Sequence, residues 1–346
     1  MDTALLVNRP ATPSLLLESL LKLIHAVPSG EEIFIATYYL RNMRLCKSLV
    51  DARARGVRVK LLLSGNTYYK SGNVGAEKFL KDHGFDSSTL AFRHPENLLK
   101  RRMHLKMFLA SKAGSQSHIC LFGTYNPSGN DVVEQEVFEV IGDQDSGYNL
   151  LLRIYGNALL YRYVRQHLAT LFGHPRRRCS SPPESFGNID LQFLPSRHGN
   201  LLIDCLRRGL MPGNELKIRV AVSHISDART LSLLRRLTAT GSHIEVIGHD
   251  SERRFPQKTV NKLTDSGIGA FRFVHPDLLP MHCKFVLVEP LRRQQPRFRY
   301  AFLGSVNLTY KSFHINDELI SRTSDDDVCD ALDDLYTELR QASRPA

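Results

Sequence analysis

Apolar and polar positions along this chain alternate with two different periods, and the same succession of periods runs twice. In the first half, Thr12-Pro13 has the form of a helix start, with Thr as N-cap and Pro in the first helical position. Residues 15–24 follow at helical spacing, and 33–39 form an apolar run rich in β-formers. Residues 42–55 predict a helix ended by Gly56, and 57–63 a strand. The second half repeats the order: a helix over 201–208, a strand over 216–222, a helix over 226–240 stopped by Gly241, and a strand over 244–247. Order, spacing and residue type agree well enough to imply an internal duplication. Helices alternating with strands predict an α/β fold, each half a mixed, largely parallel sheet flanked by helices. The expected organisation is a first repeat over 1–171, a Pro-, Ser- and Arg-rich linker over 172–187, and a second repeat over 188–346. The second repeat closes with a helix over 324–340, whose apolar face is Val328, Ala331, Leu332, Leu335 and Leu339.

The two halves agree most closely at a polar cluster. Phe92-Arg93-His94-Pro95 leads into Met103-His104-Leu105-Lys106, then Gly123-Thr124-Tyr125-Asn126, then Glu136. Phe273-Val274-His275-Pro276 leads into Met281-His282-Cys283-Lys284, then Gly304-Ser305-Val306-Asn307, then Glu318. Each His-x-Lys opens a β-branched or apolar run, so histidine and lysine are expected on one face of a strand. A second strand (119–122 and 300–303) carries the Gly-Thr/Ser-x-Asn turn, where glycine permits close backbone approach. Glu136 and Glu318 start further apolar runs and can accept the other N–H of an imidazole.

Such a set suits an anionic phosphodiester. Lys106 and Lys284 supply charge, and Asn126 and Asn307 supply neutral donors to the same oxygens. One neutral histidine can attack phosphorus while a protonated one donates to the leaving oxygen. No metal ligands or cofactor are needed, and the six scattered cysteines lack metal-ligand spacing. Each half holds one histidine of this kind, so the duplication lets a single chain complete the set and a monomer suffices. His94, His275, His118 and His314 read as background.

Composition narrows the partners. The net charge of +11 favours polyanions, whether phospholipid headgroups on an anionic membrane surface or nucleic acid. No apolar run approaches the ~20 residues that span a bilayer. The first ten residues lack the layout of a secretory signal. The expectation is a cytoplasmic protein, attached to membrane at most peripherally.

At the cluster the chain resembles the phospholipase D superfamily, whose signature is His-x-Lys, four residues, Asp, then a Gly-Ser/Gly-x-Asn turn. The resemblance implies two tandem repeats related by a pseudo-twofold axis, with the active site on the seam and a covalent phosphohistidine intermediate. It implies His104 as nucleophile and His282 as general acid, with the reverse order open because members differ. Lys106, Lys284, Asn126 and Asn307 would hold the phosphate, with Thr124 and Ser305 beside it, and Glu136 and Glu318 would orient the histidines. The family's Asp falls at Ser111 and at Glu289, which marks the first repeat as the weaker. The second repeat, 304–318, is similar to cardiolipin-synthase-like members. A phospholipase D or phosphatidyltransferase acting on phospholipid is the leading expectation. A nuclease or DNA-end-processing phosphodiesterase is the alternative, disfavoured by the absence of Trp for base stacking. A binding or scaffold protein with weakened turnover is the third.

Overall fold

The computed structural model describes residues 2–67, 72–94, 101–111, 118–128, 145–174, 180–211, 213–275, 279–291 and 298–346. The chain divides into two compact units, Met1–Cys179 and Ser180–Ala346. Each has its own sheet and its own apolar core.

The first unit runs β1 (Asp2–Asn8), α1 (Leu15–His25), β2 (Glu32–Thr37), α2 (Met43–Ala54), β3 (Arg58–Ser64), α3 (Val74–Asp82), β4 (Leu90–Arg93). It continues with β5 (Lys106–Ala110), β6 (Ile119–Gly123), β7 (Asn149–Tyr155) and α4 (Ala158–Gly173). The second unit runs β8 (Glu184–Ser185), β9 (Ile189–Leu194), α5 (Leu201–Arg208), β10 (Leu216–Val222), α6 (Ala228–Ala239), β11 (His243–His249), α7 (Gln257–Thr264), β12 (Gly269–Phe273). It ends with β13 (Lys284–Pro290), β14 (Tyr300–Gly304), α8 (Tyr310–His314), β15 (Glu318–Thr323), α9 (Asp326–Gln341) and β16 (Ser343–Pro345). Of the span expected as a linker, Phe172 and Gly173 end α4, and Glu184–Ser185 pairs with β9.

The duplication is visible in the topology. The first sheet has the order β1-β7-β6-β5-β2-β3-β4, and the second has β9-β15-β14-β13-β10-β11-β12 with β8 and β16 added at its edges. Both sheets are mixed, as expected, but they are not largely parallel. Among the described strands only β2–β3 and β3–β4 in the first unit, and β10–β11 and β11–β12 in the second, pair in parallel. The reason lies in the connections. A parallel crossover needs a dozen or more residues, usually a helix. The links β5–β6 (111–118) and β13–β14 (291–299) are shorter than that, so each strand returns antiparallel to its predecessor.

Local signals place most helices. α1 buries Leu16, Leu17, Leu20, Leu21 and Ile24. The side chain of Asn42 accepts from Leu45 N to cap α2, and Asp227 does the same for Thr230 N at the start of α6. α9 buries Val328, Leu332, Leu335 and Leu339 as expected, together with Cys329 and Tyr336; Ala331 is only half-buried. Five cysteines, Cys46, Cys120, Cys205, Cys283 and Cys329, are buried free thiols. Among the described residues no helix is long and apolar enough to cross a membrane.

The start of α1 departs from expectation. Thr12 does not cap it; the cap position is Ser14, in the left-handed region at φ 62, with no side-chain cap bond. A distant residue does the work. Asn8, at the end of β1 and wholly buried, accepts Leu16 N–H at 2.9 Å and donates to the Asp145 carbonyl at 3.2 Å. Ser14 N–H donates to that same carbonyl at 2.6 Å. An N-cap borrowed across 8 positions of sequence has no local signature. Asn8→Ala leaves the buried Leu16 N–H unmatched and removes one of the two donors to the Asp145 carbonyl, and the expected cost is about 2 kcal/mol of unfolding free energy, read from urea denaturation.

Candidate functional site

In each unit the candidate residues collect where the central antiparallel strands begin or end. His104 and His282 stand just ahead of β5 and β13, which start at Lys106 and Lys284. Both lysines are almost fully buried, at 1% and 2% exposure. Each folds back along its own chain: Lys106 Nζ donates to the His104 carbonyl at 2.7 Å, and Lys284 Nζ to the His282 carbonyl at 2.8 Å. Lysine and histidine are thereby locked as one piece. In the first unit the Tyr38 ring adds to the set, 5.1 Å from the His104 ring and 5.3 Å from Lys106 Nζ. The β2–β5 and β10–β13 registers place Ser223 at the corresponding position in the second unit.

The Gly-Thr/Ser-x-Asn turn is built identically in both units. A Cβ on Gly123 would lie 2.2 Å from the Leu150 carbonyl oxygen, and one on Gly304 would lie 2.2 Å from that of Leu319. Only glycine allows this approach. The approach lets Thr124 N–H reach the Leu150 carbonyl (2.9 Å) and Ser305 N–H the Leu319 carbonyl (3.0 Å). In return Leu150 N–H donates to Thr124 Oγ1 at 2.9 Å, and Leu319 N–H to Ser305 Oγ at 3.0 Å. The same turns also hold the loops after β2 and β10. Arg41 and Asn42 N–H share the Pro127 carbonyl, and Ser226 and Asp227 N–H share that of Leu308. Asn126 and Asn307 follow the turns, buried at 3% and 9% exposure. The Oδ1 of each is buried without a hydrogen bond among the described residues. Each unit therefore has an amide arm awaiting a partner, and the amide can turn to offer N–H to a ligand oxygen.

The hydroxyls of the two turns reach different groups. Ser305 Oγ donates to Glu318 Oε2 at 2.5 Å, and Asn316 Nδ2 donates to the other carboxylate oxygen at 3.4 Å. Thr124 Oγ1 donates to Asn149 Oδ1 at 3.1 Å. Register agrees: Gly123 pairs with Leu151 and Gly304 with Ile320, so Asn149 occupies in the first unit the position of Glu318 in the second. Glu136, expected there from sequence, lies outside the described residues, and the matching position is held by an amide instead. Spacing along the chain does not point to Asn149. Glu136 follows Asn126 by 10 residues and Glu318 follows Asn307 by 11, whereas Asn149 comes 23 after Asn126. A polar residue opening the run Asn149-Leu150-Leu151-Leu152, like Glu318-Leu319-Ile320, was the available signal.

The carboxylate positions of the signature do different work. Ser111 follows the end of β5, about 16 Å along the strand from Lys106 at ~3.3 Å per residue. Its Oγ accepts Glu32 N–H at 2.7 Å and donates to Glu31 Oε2 at 2.6 Å. Glu289, near the end of β13, pairs with Arg219 (2.8 Å), Lys217 (3.3 Å) and Arg299 (3.5 Å). Both positions tie down the strand end remote from the histidine. Their change from Asp therefore bears on anchoring, and the asymmetry that touches the polar cluster is Asn149 against Glu318.

Electrostatics sharpen this in the second unit. Burial pushes the Lys284 ammonium down to about 7 from its ordinary 10.5; the nearby Cys283 and Glu318 pull the other way without restoring it. Lys284 and Glu318 thus sense each other within one unit.

Comparison with known proteins identifies the family and the fold. A sequence profile of the family described as "Cardiolipin synthase, PLD-like domain" matches residues 21–146 and 214–340, and the chain belongs to that family. No curated protein matches the sequence. Among solved structures, polyphosphate kinase from Porphyromonas gingivalis superposes with a TM-score of 0.69 at 15% identity, covering 98% of this chain and 47% of that one. The chain therefore spans about half the length of that enzyme. Phosphatidylserine synthase from Haemophilus influenzae superposes with a TM-score of 0.66 at 12% identity, covering 99% of this chain and 87% of that one. At such identities these likenesses establish the fold.

Two outcomes follow from the geometry. Ser111→Ala is expected to cost about 1 kcal/mol of stability through its lost hydrogen bonds, read from urea denaturation. Lys284→Met tests the buried charge. Between about pH 7 and 8.5 the unfolded chain holds a proton at position 284 that the folded chain has shed, so stability rises with pH there. The variant should lose that rise, up to about 1.4 kcal/mol per pH unit, read as the difference between paired urea titrations.

Proposed function

We propose that this member of the PLD-like family cleaves or transfers phosphodiesters through a covalent phosphohistidine, with phospholipid as its substrate. The observation that carries the reading is the duplicated cradle: a histidine locked to a lysine, beside a glycine turn that presents an asparagine with an unpartnered amide arm. Lysine and asparagine are the donors that phosphate oxygens require, and histidine is both nucleophile and proton carrier.

Asn149 and Glu318 support a division of labour. A carboxylate in the cluster favours an imidazolium, whereas a neutral amide leaves the imidazole uncharged. His104, with Asn149 in its unit, is then the nucleophile, and His282, with Glu318, the general acid. The His104 ring nitrogen lone pair forms the N–P bond as the P–O bond to the leaving alcohol breaks. The leaving oxygen keeps the bonding electron pair and takes the proton of His282. Water or an acceptor alcohol then attacks phosphorus, gives its proton to His282, and releases His104 as the P–N bond breaks. Lys106, Lys284, Asn126 and Asn307 hold the non-bridging oxygens, with Thr124 and Ser305 fixing the turns.

The lipid assignment rests on the family description and on a net charge of +11, which suits an anionic bilayer surface. Incubation with phosphatidylglycerol vesicles should release headgroup or form cardiolipin, while single-stranded DNA survives; DNA cleavage without lipid turnover sinks the lipid reading. ³²P from labelled substrate should be trapped on wild type and on His282→Ala in an acid-labile, alkali-stable form, and should be absent from His104→Ala. Glu318→Gln should slow alkyl-leaving diesters at least 100-fold yet largely spare the first turnover of a p-nitrophenyl diester, whose leaving group needs no proton. A p-nitrophenyl burst lost equally would reverse the two histidines.

A further inference from the structure

The second unit contains a cavity of about 200 Å³ whose polar lining includes Ser196, Arg197, Asn200, Asp227, Arg229 and His314. None of these residues belongs to the machinery described above. Asn200 is the informative one. It is 8% exposed, and its Oδ1 accepts both Leu202 and Ile203 N–H at 3.1 Å, capping α5. That pair of acceptances fixes the amide orientation, so the group left over is the NH₂. Its Nδ2 is buried and has no hydrogen-bond partner.

The backbone of α5 is not what a ligand would meet. Leu201 N–H is taken by Gln192 Oε1 at 3.0 Å, and Asn200 N–H by Asp204 Oδ2 at 3.0 Å. The free donors are side chains. Arg197 and Arg229 are exposed at the cavity, and no ion pair engages either guanidinium among the described residues. The acidic lining group, Asp227, is committed through Oδ2 to Thr230 N–H (2.8 Å) and Oγ1–H (2.9 Å). Two exposed arginines and an unsatisfied amide NH₂ among the lining residues of one small cavity call for an anion with several acceptor oxygens.

Placement ties the cavity to the His282 cluster within the same unit. Leu194, in the cavity wall, is the ladder partner of Glu318. Asp227 N–H donates at 3.0 Å to the carbonyl of Leu308, the residue after Asn307. The cavity is thus at the same end of the sheet as the His282 cluster.

We propose that this cavity is an anion subsite, holding a second phosphate or carboxylate of the molecule whose phosphodiester reacts. The substrate part of this proposal rests on the function proposed above, whereas anion binding does not. Inorganic phosphate is the first probe, titrated calorimetrically into the full chain carrying His282→Ala. Binding should persist there, and should weaken at least tenfold on adding Asn200→Asp or the pair Arg197→Ala and Arg229→Ala. Asp caps a helix as well as Asn does, so Asn200→Asp should melt near wild type while turning the free donor into a repelling oxygen. Undiminished phosphate binding in a folded Asn200→Asp protein overturns the subsite.

The second probe is turnover of phosphatidylglycerol phosphate against phosphatidylglycerol. Wild type should prefer the former in kcat/KM, and Asn200→Asp should reduce that ratio at least fivefold. An unchanged ratio, with phosphate binding lost, assigns the cavity to free phosphate and overturns the substrate role. Absence of all diester turnover would defeat the function proposed above, yet leave the phosphate titrations to decide the subsite.

Discussion

The close approach of one glycine to a neighbouring carbonyl organises each unit. With no Cβ in the way, the strand carrying Gly123 or Gly304 comes near enough to the next strand for a hydroxyl and two amides to interlock. The turn that results does three things together. It leads into a buried asparagine, it anchors the loop that leads from β2 or β10 into a helix, and it brings the first residue of β7 or β15 under the hydroxyl. A side chain at the glycine would break all three, because the obstacle is backbone and cannot rotate away.

Around that constraint the duplication has been kept unevenly. What repeats is the scaffold: strand order, ladder direction, the lysine folded onto the histidine carbonyl, and the capped helix after the second loop. What diverges are the groups that set charge. The first unit has Asn149 under its threonine and Tyr38 against its histidine; the second has Glu318 and Ser223 at the matching positions. Strain against the backbone forbids change at the glycines, whereas the amide and carboxylate both accept the same hydroxyl and can be exchanged without disturbing the fold.

This difference also explains what could be read from the sequence. Short-range chemistry was legible: the boundaries of α5 and β10, the glycine turns, and the paired His-x-Lys all announce themselves within a few residues. Long-range chemistry was not. Fourteen residues separate Gly304 from Glu318, but 26 separate Gly123 from Asn149. An insertion of that size defeats matching by spacing, and Glu136 was the carboxylate that spacing offered. The cap on α1 was hidden for a related reason, since Asn8 acts from the previous strand. Sheet direction failed because alternation of helix and strand was extended past β4 and β12, where the connections no longer hold a crossover helix.

On the function proposed above, the divergence reads as a division of roles. Attack on phosphorus and protonation of a leaving group need opposite charge states of the same imidazole. Two identical half-sites would give both histidines the same bias, and one role would always be met by the minority form. On the function proposed above, an amide in one copy and a carboxylate in the other would separate the two. Burial holds the Lys284 ammonium down at about 7, so its charge is sensitive to the groups beside it. Ser111, remote from the histidine, is engaged with Glu31 and Glu32 instead. The asymmetry with chemical meaning lies under the glycine turn, where Asn149 faces the hydroxyl that Glu318 faces in the other copy.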